Sequence, residues 1–207
     1  MNNNIVSIII PIYNCNLYFF DRCLRSVLNQ KYKNIEILII ENGKKLLSTQ
    51  IISKYNDQRI KYYYTKKADV SNARNYGIEK AKGKYIYFVD ADDTIFENTI
   101  KDLVEILENK NCDIILFNYN KVINNSICKN NFEYNEGIVS HDKIINRIIP
   151  DLINTRLWGS VWRVIYNANI IKKYNIKFKE SIKVAEDLLF NIEVFSKANS
   201  IFLINKE

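Results

Sequence analysis

Three aspartates lie within four residues of one another in "YIYFVDADDTIF", residues 85–96, directly after an apolar run. Carboxylates at this spacing repel one another, so each must share a proton or be stabilised in its ionised form. Oxygen ligands of this kind suit Mg²⁺ or Mn²⁺, although one loop supplies too few of them for a cage made of protein alone. Asp90, Asp92 and Asp93 therefore favour a divalent cation that also contacts the phosphates of a bound ligand.

Two other interpretations fit the same residues. Acidic side chains favour the first turn of a helix, and a helix is predicted directly after this loop. The string "VDADDT" also matches phosphatases of the haloacid dehalogenase type, in which Asp90 would be the nucleophile and Asp92 the acid–base group. In those enzymes the motif normally ends the first strand, whereas three strand–helix units precede it here.

Strands and helices alternate in the first half of the chain and determine where the aspartates lie. Apolar, β-branched runs predict strands at "IVSIII", "NIEILII", "RIKYYY", "KYIYFVD" and "CDIILFNY". Helical spacing of apolar residues is found in "YFFDRCLRSVLNQ", "SNARNYGIEKA" and "NTIKDLVEILENK", and Gly83 is expected to end the second of these helices. This order predicts an α/β fold with a doubly wound, mostly parallel sheet and helices on both faces.

Three polar motifs follow predicted strands, namely "PIYN" (11–14), "ENG" (41–43) and "DADD" (90–93). In doubly wound sheets, ligands bind outside the carboxyl ends of the strands, near the point where the strand order reverses. We therefore expect the three motifs to contribute to one ligand site.

The second half of the chain has a different pattern. "NKVINNSICKNNFEYNEG" predicts strand pairs, and Ser140 is placed to cap a helix that stops near Pro150. "AEDLLFNIEVFSKA" predicts a helix that begins with the acidic pair Glu186 and Asp187, and its apolar side is expected to contain Leu188, Leu189, Ile192 and Phe195. Since we find no linker or repeat, one domain over residues 1–207 is expected, with the second half packed on the first.

Composition narrows the class of partner. The formal net charge is +7, which suits an anionic partner. The lysines are scattered, so nucleic acid is not expected as that partner. Four separated cysteines and a single histidine argue against a zinc site. We find no leader and no apolar run long enough to span a bilayer, so a cytoplasmic protein is expected, with peripheral membrane contact left open.

Four segments together resemble family 2 glycosyltransferases with the GT-A fold: "VSIIIPIYN", "SVLNQKYKNIEILIIENG", "ARNYGIEKAKGKYIYFVDADD" and "AEDLLFN". The likeness covers nearly the whole chain and points to the subgroup that builds bacterial surface polysaccharides. It implies Mn²⁺- or Mg²⁺-dependent, inverting transfer of a sugar from a nucleoside diphosphate, with UDP favoured, to a hydroxyl of a glycan or lipid-linked glycan. The first part of the chain, about residues 1–120, would bind the nucleotide sugar. The remainder, about residues 121–207, would form a smaller acceptor-side subregion.

The resemblance also implies roles for single residues. On the donor side, Pro11 and Tyr13 would line the nucleoside pocket, Arg74 would lie against the donor, and Asp90 and Asp92 would contact the ribose and the metal. Asp92 ranks first as a metal ligand, and Asp93 is a further candidate. On the acceptor side, the resemblance implies Asp187 as the general base, Glu186 as a group that orients the acceptor, and Trp158, Trp162 and Arg163 as residues near it.

Two positions depart from the family pattern. Asn42 stands where an aspartate commonly accepts the N3–H of uracil; an amide can make that contact, but it can also serve cytosine or simply occupy a turn. Val164 stands where the family often has a lysine, although Arg163 adjoins it. These departures keep open a catalytically silent relative that binds sugar nucleotides. The residues do not specify an oligomeric state.

Overall fold

A central sheet organises the protein, whose computed structural model describes residues 4–43, 48–123, 126–130, 134–154 and 159–205. The strands in these ranges are β1 (Val6–Ile12), β2 (Ile35–Asn42), β3 (Ile60–Thr65), β4 (Tyr85–Phe88), β5 (Ile114–Phe117), β6 (Tyr119–Ile123), β7 (Ser126–Asn130), β8 (Gly137–Ser140), β9 (Val164–Asn167) and β10 (Ser200–Ile204). Eight of them form one sheet in the order β3-β2-β1-β4-β9-β5-β10-β8, and β6 and β7 pair separately as a ribbon.

The helices cover both faces of this sheet. They are α1 (Leu17–Leu28), α2 (Ser48–Ile52), α3 (Val70–Lys80), α4 (Thr99–Lys110), α5 (His141–Lys143), a π-helical segment (Ile144–Ile148), α6 (Ile149–Ile153), a 3₁₀ turn (Val161–Arg163), α7 (Ala168–Lys173) and α8 (Glu186–Phe195). Up to β5, the chain follows the predicted alternation of strands and helices. In the described ranges, none of these helices combines the length and apolar character that crossing a membrane would require.

The parallel strands carry the fold. β1 pairs in parallel with β2 on one side and with β4 on the other, and β3 continues the sheet beyond β2. Every residue of β1 and β2 is buried, as expected for strands covered on both faces. The strand order therefore reverses between β1 and β4, and a crevice at their carboxyl ends follows from that reversal.

The two faces of the sheet bury two separate hydrophobic cores. Ile9 faces a core shared with α3 and α8, whereas its neighbours Ile8 and Ile10 face a core shared with α1 and α4. This alternation is the two-residue period of a strand. Since α3 and α8 lie on the same face, residues far apart in sequence can meet above the end of β4.

The second half of the chain completes the sheet in a way that the sequence pattern did not indicate. β9 lies between β4 and β5 and is antiparallel to both. β10 then pairs in parallel with β5, and β8 forms an antiparallel edge. The second half is thus built into the sheet rather than only packed on it.

Two local predictions are wrong. Helix α3 ends at Lys80 with Ala81 as its C-cap, so Gly83 is not the residue that ends it. Gly83 has another role: a Cβ there would lie 2.6 Å from Ser7 Oγ and 2.7 Å from Ile5 O, so only glycine fits beside the backbone of β1. The helix after Ser140 also does not stop near Pro150. Pro150 lies in the first turn of α6, where a missing N–H is tolerated, and the helix continues to Ile153.

Candidate active site

The carboxyl ends of β1 and β4 form the floor of the candidate site. The pairing of β4 with β1 ends at Phe88 opposite Ile9, and one further bond follows from Val89 N–H to Ile9 O at 3.0 Å. Pro11 lies beyond this last contact, so its missing N–H removes no ladder bond from that side of β1. The two strands therefore separate at the point where the polar motifs begin.

The loop after β4 is held against α1. A turn closes where Asp93 N–H donates to Asp90 O at 3.0 Å. The thiols of Cys23 and Cys15 lie 3.4 Å from Asp90 O and 3.6 Å from Ala91 O, respectively, and donate weak hydrogen bonds to them. These contacts fix the backbone that carries the three aspartates at the edge of the sheet.

One guanidinium group joins this loop to α8. Arg74 of α3 is 4% exposed, and its Nη2 lies 3.2 Å from Asp90 Oδ1. Its Nη1 lies 2.5 Å from Asp187 Oδ1 and 3.4 Å from Glu186 Oε1. Three carboxylates from two elements therefore share one buried cation. The expectation that Arg74 contacts the donor stays a prediction, because its described partners are carboxylates.

The environment of these carboxyl groups changes their proton affinity. Desolvation raises the pKa of Asp187 to about 6, although the charge of Arg74 and the N–H of Val161 act in the opposite direction. Desolvation also raises the pKa of Asp90, again opposed by Arg74. A carboxyl group with a pKa near 6 is ionised at neutral pH and is still basic enough to accept a proton efficiently.

Several contacts fix the start of α8. Asp187 Oδ2 accepts from Val161 N–H at 3.2 Å, which connects it to the 3₁₀ turn. Asn191 Nδ2 donates to Gly159 O at 2.6 Å, and its Oδ1 accepts from the hydroxyl of Tyr166 at 2.6 Å. Ala185, just before the helix, has a left-handed conformation with φ of 66°, which is uncommon for a residue with a side chain and is typical of functional sites.

A second set of residues surrounds the ends of β2 and β3. Gly43 has φ of 83°, and a Cβ there would lie 2.8 Å from the ring of Tyr13, so "PIYN" and "ENG" are in contact. Glu41 is buried and accepts from the hydroxyls of Ser48 and Tyr62, which gives it a structural role. The neighbouring Asn42 is 1% exposed, and neither its amide nitrogen nor its amide oxygen has a hydrogen-bond partner among the described residues.

The two remaining aspartates of the loop, Asp92 and Asp93, are exposed residues. The pKa of Asp93 is raised to about 6, chiefly because its carboxyl group is desolvated and also because of the negative charges of Asp90 and Asp92. In the described ranges, no group of three or more His, Cys, Asp or Glu side chains is arranged to hold a metal ion by itself. The oxygens present do fit a hard divalent ion whose coordination is completed by phosphates and water.

The residues expected on the acceptor side have different surroundings. The ring of Trp162 packs edge-on against Tyr119 with centroids 4.7 Å apart. Arg163 is buried and donates from Nε to Phe117 O at 3.0 Å, and burial lowers its pKa to about 10. Val164 is a buried residue of β9, and Trp158 lies outside the described residues. Their contacts with an acceptor stay predictions.

Sequence reasoning missed two parts of this arrangement. Asn75, next to Arg74, bonds to the backbone of Phe178, and Val161 bonds to Asp187 through its own backbone. The string "ARNYG" did contain Asn75, but no residue pattern identifies a partner 103 positions away. A backbone donor such as Val161 N–H leaves no signature in the side-chain sequence.

Comparisons with known proteins identify the family of the chain. Residues 7–160 match the model of the family described as Glycosyl transferase family 2. The chain is 30% identical over 206 residues to EpsJ of Bacillus subtilis, which is named an uncharacterized glycosyltransferase. That alignment covers 98% of this chain and 59% of EpsJ. It is 26% identical over 204 residues to the poly(ribitol-phosphate) beta-N-acetylglucosaminyltransferase TarS of Staphylococcus aureus, over 96% of this chain and 34% of TarS.

Solved structures give the same result for the fold. The crystal structure of residues 1–349 of S. aureus TarS superposes with a TM-score of 0.81 at 26% identity, over 98% of this chain and 58% of that one. The same fragment has been crystallised with UDP and with UDP-GlcNAc. The predicted GT-A-like α/β fold is thereby confirmed, and the chain spans about three fifths or less of the length of these relatives.

Proposed function

The chain belongs to glycosyl transferase family 2, and from that premise we propose that it transfers a sugar from a nucleoside diphosphate to an acceptor hydroxyl. The proposed acceptor is a glycan or lipid-linked glycan of a bacterial surface polysaccharide, assembled on the cytoplasmic side of the membrane. The observation that carries this proposal is the cluster in which Arg74 brings Asp90, at the end of β4, together with Asp187, at the start of α8. A carboxylate poised near neutral pH thus lies next to the crevice where a doubly wound sheet binds its ligand.

The proposed donor is a UDP-sugar, as in the complexes of TarS with UDP and UDP-GlcNAc. Asn42 and Thr65 are register partners at the ends of β2 and β3, and both have buried polar side-chain atoms without a partner among the described residues. Buried polar atoms in proteins are nearly always hydrogen-bonded, so we expect a water molecule or a ligand to bond to the side chains of Asn42 and Thr65. An amide and a hydroxyl supply the donors and acceptors that a pyrimidine base requires.

In the proposed reaction, Asp187 accepts the proton of the acceptor hydroxyl as its oxygen attacks the anomeric carbon. The nucleoside diphosphate leaves from the opposite face, so the configuration at that carbon is inverted. Its bonds to Arg74 and to Val161 N–H keep the carboxylate of Asp187 oriented, and its pKa of about 6 leaves it ionised at neutral pH. Glu186, also bonded to Arg74, lies beside it and would orient the acceptor.

A divalent ion fits the exposed part of the loop. Asp92 would be its first protein ligand, and Asp93 and Asp90 would be further candidates. When bound, Mn²⁺ or Mg²⁺ would neutralise the negative charge that grows on the departing diphosphate. Asp90 is the least available of the three in the present arrangement, because one of its oxygens is bonded to Arg74.

The test is hydrolysis of UDP-GlcNAc with and without Mn²⁺, because water can replace an unidentified acceptor. We expect release of UDP that depends on the metal, and a released sugar whose initial anomeric configuration, measured by NMR, is opposite to that of the donor. UDP binding is measured in parallel by calorimetry. Binding of UDP without turnover of any sugar nucleotide would favour the catalytically silent relative that Asn42 and Val164 kept open. The family assignment leaves the phosphatase interpretation without support.

A further inference from the structure

Helix α3 holds the segment between α7 and α8, residues 174–185, by a paired contact with one residue. The side-chain amide of Asn75 donates from Nδ2 to Phe178 O at 2.9 Å and accepts from Phe178 N–H to Oδ1 at 2.8 Å. One asparagine therefore satisfies both backbone groups of a single residue, as a neighbouring strand would. Only a side chain with a donor and an acceptor side by side can do this, so aspartate or leucine cannot replace it.

Phe178 connects this contact to the acidic start of α8. Its ring stacks on Phe190 of α8, with centroids 4.0 Å apart and planes inclined by only 3°. The guanidinium of Arg74, the group bonded to Asp187, lies 5.4 Å from the centre of the same ring. Phe178 is 2% exposed, so it is an anchor within the core rather than a surface contact.

The chain between this anchor and α8 has little other support. Most residues from 179 to 185 are exposed, and Val184 is 82% exposed. Two residues are exceptions: Glu180 accepts from Asn72 at 3.1 Å and pairs with Lys67, and Lys179 Nζ lies 3.7 Å from Glu193 Oε2 of α8. The ends of helices are the parts that open most easily. Besides the bonds of Asp187 to Arg74 and to Val161 N–H, the position of this first turn of α8 therefore depends on how firmly Phe178 is held.

We propose that Asn75 is a positioning residue, which fixes Phe178 so that Arg74 and Asp187 keep the geometry needed for proton transfer; this inference rests on the proposed function. Asn75 contacts Asp187 only through Phe178 and its neighbours. Its loss should therefore affect turnover rather than binding of the nucleotide, whose candidate contacts lie at the ends of β1, β2 and β3. A shift of about 1 Å in a reacting group can lower a rate as much as a hundredfold.

The experiment compares Asn75→Ala with Asn146→Ala, a matched control whose side chain donates to Asp142 O at 2.8 Å on the exposed surface, outside the candidate site and outside residues 174–185. For Asn75→Ala we expect kcat for UDP-GlcNAc hydrolysis to fall by about tenfold or more, with the Kd for UDP unchanged within about twofold. Hydrogen–deuterium exchange should rise in residues 174–185 and stay unchanged in β1. Asn146→Ala removes only an exposed bond to Asp142 O, so kcat, UDP binding and exchange in residues 174–185 should match the wild type.

Two results would overturn the proposal. One is a kcat for Asn75→Ala within about twofold of the wild type; the other is unchanged exchange in residues 174–185. If Asn75→Ala does not fold, Asn75→Ser is measured in the same way. Full activity with unchanged exchange in that variant would also overturn the proposal. If the wild-type protein binds UDP but hydrolyses no sugar nucleotide, the proposed function fails, whereas the exchange measurement still decides whether Asn75 holds the segment.

Discussion

The carboxylates of the candidate site fall into two groups, which differ in whether Arg74 is bonded to them. Asp90, Glu186 and Asp187 share the buried guanidinium of Arg74, and their side chains are 17% to 31% exposed. Asp92 and Asp93 follow Asp90 in the loop after β4, but both are exposed residues. Neighbouring acids in one sequence motif thus have different environments, because only some of them face α3 and α8.

This difference matches two kinds of chemistry. A general base must keep its orientation relative to the proton that it accepts, and a fixed ion pair provides that. A metal ion that is completed by substrate phosphates instead needs ligands that can adjust when the substrate arrives. We therefore assign proton transfer to the carboxylates held by Arg74 and cation binding mainly to the exposed ones, and the following variants test this division.

The largest effect is expected from Arg74→Met, which removes the shared cation and leaves three carboxylates without it. Breaking a buried ion pair on one side typically costs about 3–5 kcal/mol, and the partly exposed partners here favour the lower end of that range. We expect loss of turnover and a lower free energy of unfolding, measured by urea titration. The deficit should shrink as the pH falls from neutral towards 6, because Arg74 no longer lowers the pKa of Asp187 in the variant, so its carboxyl group is protonated at a higher pH than the wild-type value of about 6.

Arg25→Met is the matched control for this variant. Arg25 pairs with Asp21 on the surface of α1, and exposed pairs of this kind contribute little to stability. Its unfolding midpoint should equal that of the wild type. Equal midpoints for Arg74→Met and Arg25→Met would show that Arg74 does not stabilise the cluster.

The next effect in size is expected for Asp187→Asn. The amide keeps the shape of the side chain but cannot accept the proton, so kcat should fall by about 10²- to 10⁴-fold with UDP binding retained. Steady-state hydrolysis of UDP-GlcNAc and calorimetry with UDP measure the two quantities. A variant that retains full turnover would remove Asp187 from the role of base.

Asp92→Asn should have a smaller effect of a different type. Removing one negative ligand should weaken Mn²⁺ binding about tenfold, so higher metal concentrations should restore much of the turnover. Titration of activity with Mn²⁺ measures this shift. In Asp187→Asn, excess metal should restore nothing. If Asp92→Asn is insensitive to the metal concentration, the exposed carboxylates do not form the cation site.

The smallest effect is expected for Asp93→Asn, and it resolves an ambiguity in the pH dependence. Both Asp187 and Asp93 have pKa values raised to about 6, so either one could lower activity in acid. If Asp187 is the base, turnover should decline as the pH falls below about 6, because protonation removes the group that accepts the proton. The same acid limb should persist in Asp93→Asn. Disappearance of that limb would assign it to Asp93.

Much of the fold could be predicted because it depends on local patterns. The buried runs of β1 and β2 and the helical spacing in α1 and α4 specify elements without reference to the rest of the chain. β9 could not be predicted in this way. Its place between β4 and β5, antiparallel to both, arises only from pairing across the sheet, which the order of elements along the chain does not specify.

The buried face of α8 shows a second limit. Of the four residues predicted on the apolar side, Phe195 is buried and Leu188 packs against the core, but Ile192 is half-buried and Leu189 is exposed, and the other buried positions are Phe190, Asn191 and Val194. Leu189 is 42% exposed. The stacking of Phe190 on Phe178 and the two hydrogen bonds of Asn191 determine which side of α8 faces the core. The spacing of apolar residues in the sequence does not reveal these contacts.

By itself, the sequence determined which residues were available for chemistry, the order of strands and helices up to β5, and the family to which the chain belongs. These follow from residue types and short-range spacing. Only the tertiary structure decided that Arg74 binds Asp90, Glu186 and Asp187 together, and that Asn75 holds Phe178. Apart from Arg74–Asp90, which are 16 positions apart, these contacts join positions more than 100 residues apart, and they form because the strand reversal between β1 and β4 places α3 and α8 on the same face of the sheet.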